Sequence, residues 1–281
     1  MRTYEAPAKL NLSLLVSPPR VDGYHPLESL VQTIEWCDLL EVGAGEGHDS
    51  LDSDIEDNLV LKAIEQLRRS AEVPALAMKL TKAIPVAAGL GGGSSDAAAA
   101  LRAAADIAGL SEDLVRDAAF RVGADVSLFL TGGSLIMTGV GDDLAVVEPF
   151  TDFAVAVVVP EFELASAEVY QRWDRLEGPV GTPVPDERLP PALRGGMPMR
   201  NDLLPAALDI EPRLGDFMVD VRAVWGVAPC LTGSGSACFG YFATLGEASD
   251  AAESVDGLAV VARGVALRGV GVKRVEEPVV Q

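Results

Sequence analysis

The chain has 281 residues, 49% of them hydrophobic, and carries 42 acidic against 22 basic side chains for a net charge of −20. That balance excludes a disordered chain, a general nucleic-acid binder and a protein drawn to anionic membranes. No apolar run approaches the roughly 20 residues of a membrane span, no signal peptide leads the chain, and a cytoplasmic location is expected.

Residues 6–16 alternate with period two, which predicts a strand with Lys9, Asn11 and Ser13 on one face and Leu10, Leu12 and Leu14 on the other. Pro18-Pro19 and Asp22-Gly23 mark a turn, and 27–36 and 38–43 read as two further strands of an antiparallel sheet. Asp57 or Asn58 caps a helix whose buried stripe is Val60, Ile64, Leu67 and Ala71. Leu76, Met78 and Leu80 then form a strand that leads into Pro85-Val-Ala-Ala-Gly-Leu-Gly-Gly-Gly-Ser-Ser95.

This glycine loop is the strongest signal in the chain. Gly89, Gly91, Gly92 and Gly93 are free to take positive φ and bring backbone N–H groups close to an anion. Ser94, Ser95 and Asp96 read as the cap and first turn of an alanine-rich helix running to about Gly109, whose positive end favours negative charge. No Lys follows Gly93, so the loop is not a P-loop, and Ser94 stands where a dinucleotide fingerprint needs its third glycine.

A second helix runs from about Ser111 to Gly123, followed by strands near 133–138, 143–148 and Phe153–Val159. Residues 177–200, rich in Pro and Gly, read as a surface excursion. Helices near 201–209 and 212–225, a glycine turn in Thr232-Gly-Ser-Gly-Ser-Ala-Cys238, a strand, a helix near 246–255 and a strand at 258–262 complete an α+β pattern. Cys37, Cys230 and Cys238 lack metal-ligand spacing and are expected to be core or near-core thiols.

The loop wording resembles the ATP-binding motif of the GHMP small-molecule kinases, and three other segments resemble elements of that family. Gly123-Ala-Asp125 is similar to the element bearing its catalytic aspartate, and Pro7-Ala-Lys9-Leu-Asn11 to the strand bearing its lysine. Thr232–Phe239 is similar to its second glycine turn. Arg20-Val-Asp-Gly-Tyr-His25 resembles the element with which members acting on cytidine diphosphate alcohols hold the base.

The resemblance implies a two-domain fold, ribosomal-protein-like over 1–150 and ferredoxin-like over 151–281, with the site in the cleft. It further implies ATP- and Mg²⁺-dependent phosphoryl transfer to the 2-hydroxyl of a cytidine diphosphate alcohol, with Lys9 and Asp125 catalytic. Pro85, Val86, Ala87, Ala88, Gly89, Leu90, Gly91, Gly92, Gly93, Ser94 and Ser95 would hold the nucleotide, helped by Asn58 and Lys82. Asn11, Tyr24, His25, Ser166 and Tyr170 would hold the substrate, with Tyr24 and Tyr170 as the two sides of a base sandwich. No acidic cluster has diagnostic spacing, so the metal ligands stay open.

Taken singly, each residue has a plainer reading: Lys9 a solvated lysine, Asp125 a helix cap, Tyr24-His25 a turn pair, and Tyr170 packing beside Trp173. The other readings of the whole chain are a GHMP kinase for a different alcohol, or a silent nucleotide-binding relative. Ser127-Leu128, where Pro-Phe often follows the aspartate, and Thr138, where Arg is frequent, depart from the family pattern.

Overall fold

The computed structural model describes residues 1–55, 58–259 and 261–276. The N-terminal part supplies β1 (Arg2–Asn11), β2 (Leu15–Val16), β3 (Leu27–Ala44), β4 (Ser50–Asp52), α1 (Leu59–Arg68) and β5 (Leu76–Thr81). It continues with α2 (Gly92–Ala108), α3 (Glu112–Val122), α4 (Ala124–Thr131), β6 (Ser134–Thr138) and β7 (Asp143–Val146). The remainder gives β8 (Ala154–Val159), α5 (Ser166–Arg175), α6 (Leu204–Ile210), α7 (Arg213–Trp225), β9 (Cys230–Leu231), β10 (Cys238–Phe242), α8 (Leu245–Ser254), β11 (Val261–Val265) and β12 (Lys273–Arg274).

Strands β12-β1-β3-β5-β4 run in that order through the larger sheet, with β2 and β6 also on β3 and β7 on β6. Among the described strands its one parallel pair is β4 with β5. Helix α2 packs on β1, β3, α1, α3 and α4. Its run of fully buried alanines, Ala97 to Ala100 and Ala103 to Ala104, lets it lie close to all of them.

The two strands expected at 27–36 and 38–43 are a single 18-residue strand, β3. Its pairing with β1 jumps from Pro7↔Cys37 to Ala8↔Ile34, which leaves Glu35 and Trp36 as extra residues. The break in the alternation is therefore a bulge inside one strand. It turns Trp36 into the core, where its indole N–H donates to the Ala83 carbonyl at 2.9 Å.

Helix α1 starts as expected at Asn58, whose Oδ1 accepts from the Val60 amide at 2.9 Å. The alternative cap, Asp57, lies outside the described residues, and Ala71 falls beyond the helix end, where the buried stripe is Val60, Ala63, Ile64 and Leu67. Asn58→Ala should cost about 1 kcal/mol, the usual worth of such a cap, read as a lower urea midpoint at unchanged slope.

The second sheet, ordered β11-β8-β10-β9, is antiparallel throughout. All six residues of β8 are buried. Val155, Val157 and Val159 face a core shared with Leu10, Leu12, Ile34 and Trp36 of the larger sheet, while Ala154, Ala156 and Val158 face α5 to α8. Burial on both faces explains why this strand reads as a continuous apolar run. The last expected strand, 258–262, begins instead at Val261, and Val260 is outside the described residues.

Residues 177–200 are more than a surface excursion. Leu189, Leu193 and Met199 are only 3%, 3% and 2% exposed, because the Pro-rich backbone uses these apolar side chains to anchor a strap on the shared core. Arg268, buried, donates to Glu5 and Glu35 at 2.8 Å each and ties the segment before β12 to the first sheet. The three cysteines are free thiols, with only Cys238 fully buried. Among the described residues no helix is long and apolar enough to cross a membrane.

Candidate functional site

Two cavities meet at the glycine loop. The first, about 400 Å³, is lined by Asn58, Leu59, Lys82, Asp96 and every loop residue from Pro85 to Ser94. The second, about 260 Å³, is lined by Lys9, Asn11, Asp125, Ser166, Tyr170 and Ser234, among others. Gly89 and Gly91 line both.

The loop differs in detail from its sequence reading. Only Gly89 and Gly91 have positive φ, 79° and 75°, joined by Ala87 at 56°. Gly92 and Gly93 already lie in α2, and the cap is Gly91, so Ser94, Ser95 and Asp96 fall inside the first turns. The first helical bond is Ser95 N–H to Gly91 C=O at 3.0 Å, which leaves the amides of Gly92, Gly93 and Ser94 without backbone partners at the cavity. A helix start with three open donors is an anion site by construction.

Neighbouring backbone holds this loop. Lys9 N–H donates to Leu90 C=O at 2.9 Å, and Ala237 N–H to Ala88 C=O at 3.1 Å. A Cβ on Gly89 would sit 2.8 Å from the Thr232 carbonyl oxygen, so the two glycine turns are stacked. Gly233 in turn comes within 3.4 Å of Lys9 Nζ and Asn11 Oδ1 at its own Cβ position. The Thr232–Cys238 segment thus covers the floor on which Lys9 and Asn11 stand.

Lys9 is far from a solvated lysine: it is 6% exposed, opposite Thr33 of β3, and its ammonium donates to Asn11 Oδ1 at 2.5 Å. Burial pulls its pKa below the ordinary lysine value, and the negative charge of Asp125 opposes that pull. Asn11 is itself fixed, its Nδ2 donating to Ser29 Oγ at 2.8 Å and its amide to Thr232 Oγ1 at 2.9 Å. Asp125 sits in the first turn of α4, half-buried, with its carboxylate in the same cavity.

Lys82 borders the first cavity, but its ammonium is bound by Asp38 and, at 2.7 Å, by Asp96 Oδ2. Asp38 also accepts from the Ala83 and Ile84 amides, so it clamps the strand leading into the loop. Burial would lower the Lys82 pKa, yet the two carboxylates hold it above the ordinary value; burial drives the Asp96 carboxyl upward. Ser95 Oγ and Asp96 Oδ1 are buried with no hydrogen-bond partner among the described residues.

On the far side, Ser166 Oγ and Ser234 Oγ are 2.7 Å apart, which links α5 to the second glycine turn. Tyr170 lines the second cavity, its phenol pushed up to about 12 by burial and then by Asp125. His25 lies against Tyr170, ring centroids 5.3 Å apart, with Trp173 edge-on at 5.4 Å, Asp174 Oδ2 at 3.4 Å from Nε2 and the Ser17 carbonyl at 3.1 Å from Nδ1. Tyr24 is 67% exposed and lines neither cavity. The structure therefore brings together Lys9, Asn11, Asp125, Ser166 and Tyr170, sets His25 beside them, and leaves Tyr24 outside.

Sequence reasoning missed Asp38, and it took Asp96 only as part of a helix start. It also missed Asn201, whose Nδ2 donates to the carbonyls of Leu231 and Gly233 at 3.0 and 2.7 Å and so props the turn over Lys9. Its one sequence signal is a polar Asn-Asp pair directly before apolar Leu203-Leu204.

Residues 58–133 match the family described as the GHMP kinases N terminal domain. A 4-diphosphocytidyl-2-C-methyl-D-erythritol kinase of Mesorhizobium japonicum is 35% identical over 272 residues, covering 90% of this chain and 91% of its own. That of Rhodopseudomonas palustris is 37% identical over 274 residues, covering 89% and 91%. A crystal structure of 4-(cytidine 5'-diphospho)-2C-methyl-D-erythritol kinase superposes with a TM-score of 0.79 at 32% identity, over 95% of this chain and 99% of the other. A mevalonate kinase shares the fold alone, with a TM-score of 0.68 at 13% identity over 94% of this chain and 98% of the other.

Proposed function

The chain belongs to the 4-diphosphocytidyl-2-C-methyl-D-erythritol kinase family of GHMP kinases, and from that membership we propose how its two cavities share the reaction. It is an ATP-dependent kinase that phosphorylates 4-diphosphocytidyl-2-C-methyl-D-erythritol in the non-mevalonate route to isoprenoid precursors. The division of the chain near residue 150 and every residue role below are part of the proposal.

The first cavity takes ATP. Amides of Gly92, Gly93 and Ser94 would hold its phosphates, on a loop whose left-handed turns at Gly89 and Gly91 let it pack against the second glycine turn and Phe129, with Asn58 on the nucleoside side. Lys82, held back by Asp38 and Asp96, would act mainly by setting the charge and position of the loop floor. Mg²⁺, when bound, would neutralise charge on the transferring phosphates. Among the described residues no three acidic, His or Cys side chains could hold a metal, so few protein ligands are on offer. Ser95 Oγ and Asp96 Oδ1, hard oxygen donors buried beside the helix start and without partners among the described residues, fit a metal that keeps most of its shell for phosphate and water.

The second cavity takes the alcohol. Asp125 accepts the proton of the 2-hydroxyl as that oxygen bonds the γ-phosphorus and the bond to ADP breaks. Lys9, steadied by Asn11, stabilises the negative charge that develops on the same oxygen. Ser166 meets the erythritol side, while Tyr170, His25 and Tyr24 take the cytidine, which requires the turn at 17–26 to close over the base. The observation that carries this reading is the meeting of the two cavities across Gly89 and Gly91, phosphate donors on one side and the Lys9–Asp125 pair on the other.

Measured ADP release should be fast with 4-diphosphocytidyl-2-C-methyl-D-erythritol and negligible with homoserine or mevalonate; comparable turnover of either would overturn the substrate assignment. The pH dependence tests Lys9. Because burial lowers its pKa, the ammonium that the reaction needs is lost at a lower pH than an ordinary lysine would allow. The alkaline limb of kcat should therefore lie below the ordinary lysine range, and Lys9→Arg, which stays charged, should move it upward at reduced rate. An alkaline limb that does not move with this substitution contradicts the role.

A further inference from the structure

Away from the reaction site, the strap at 182–188 roofs two adjoining cavities. One, about 310 Å³, is lined by Leu12, Val184, Met199, Asn201 and Leu231, among others. Its neighbour, about 240 Å³, is lined by Val184, Arg188, Arg222, Val227, Ala228 and Tyr241. Val184, Arg188 and Ala228 border both, so the two spaces share one mouth.

The polar groups at this mouth lack counterparts. Neither guanidinium, Arg188 nor Arg222, makes a hydrogen bond or ion pair with any described residue, although the chain carries 42 acidic side chains. Most other arginines of the molecule are paired, including Arg68, Arg102, Arg172, Arg200, Arg213 and Arg268. The Tyr241 hydroxyl is buried in the lining of the smaller cavity and also has no partner among the described residues. Two cations at the entrance of an apolar space, with an orphaned donor buried in its lining, are complementary to a molecule with one anionic end and one apolar end.

The cavity is also wired to the site. Asn201 lines it and at the same time holds the Leu231 and Gly233 carbonyls, and Gly233 packs over Lys9 and Asn11. Leu12, another lining residue, directly follows Asn11. We propose that this paired cavity is an effector site for a small amphiphilic anion, its apolar body under the strap and its phosphate or carboxylate head between Arg188 and Arg222, acting on the alcohol cavity through Asn201. The coupling part rests on the assignment of the second cavity to the alcohol; the binding part does not.

Calorimetric titration of the full chain with octyl phosphate, below its aggregation concentration, tests binding. The expected result is one saturable site per chain that persists in a non-hydrolysable ATP analogue, with inorganic phosphate and octanol alone each binding far more weakly. Octanoate in place of octyl phosphate decides which head the arginines prefer. Both arginines are exposed, so R188Q/R222Q should fold and turn over normally while weakening octyl phosphate at least about tenfold, the loss of one charge-assisted contact. Absence of saturable binding, survival of binding in R188Q/R222Q, or displacement by the ATP analogue would overturn the site. Kinetically, octyl phosphate should shift KM for the alcohol in the native chain and not in R188Q/R222Q; bound octyl phosphate with an unmoved KM sinks the coupling.

Discussion

Asp125→Asn is expected to lower kcat by about 10² to 10⁴, the range that a positioned general base supplies, and to leave ATP-analogue affinity almost unchanged. The substitution keeps shape and removes the capacity to accept a proton. Its structural cost should be small, because the carboxylate is half-buried in the cavity and makes no hydrogen bond with any described residue. It has a second, electrostatic consequence. Asp125 partly offsets the burial of Lys9, so its neutralisation should lower the Lys9 pKa further and push the residual activity toward lower pH. Stopped-time assays across pH, with a parallel binding titration, check both; native turnover in the variant would remove Asp125 from the mechanism.

Alanine at Gly91 should damage the glycine loop severely, whereas alanine at Gly93 should be tolerated. At Gly91 the backbone is left-handed, φ 75°, and the new Cβ would lie 2.8 and 3.0 Å from Phe129 ring atoms and 3.2 Å from Lys9 Cγ. Phe129 is fully buried and cannot yield freely. Overpacking of that kind together with a left-handed non-glycine residue implies a loss of about 2–4 kcal/mol, with a displaced loop on both cavities. Gly93 already sits in α2, and a Cβ there meets nothing closer than Leu59 Cδ1 at 3.9 Å. Its replacement should be neutral or stabilising by about 0.5 kcal/mol, because alanine is the better helix former. Urea midpoints and ATP-analogue affinities of the two variants provide the test, and equal behaviour would mean that the loop geometry is wrong.

What was legible in the sequence was local. The glycine loop, the alanine helix ending at Gly109, the Asn58 cap and the alternation of Lys9 with Asn11 depend on neighbours a few residues away, and each is present. What was hidden depends on distance. The clamp on Lys82 joins Asp38 and Asp96 across 44 and 14 residues, and no spacing rule predicts it. The prop beneath the second glycine turn comes from Asn201, 32 residues from Gly233.

Composition misled in two places. The bulge at Glu35–Trp36 broke the alternation of a single strand, and prolines made the anchored strap at 177–200 look like an unattached loop. Tyr24 sits in the expected turn with its ring exposed, while His25 takes the position against Tyr170.

The central claim is that one hydroxyl of the alcohol lies between Lys9 and Asp125 while the ATP phosphates rest on the amides of Gly92 to Ser94. A crystal structure with a non-hydrolysable ATP analogue and 4-diphosphocytidyl-2-C-methyl-D-erythritol tests it directly. The 2-hydroxyl should lie within hydrogen-bond reach of the Asp125 carboxylate and in line with the terminal phosphorus. A nucleotide seated away from the glycine loop, or an alcohol bound out of reach of both side chains, would contradict it.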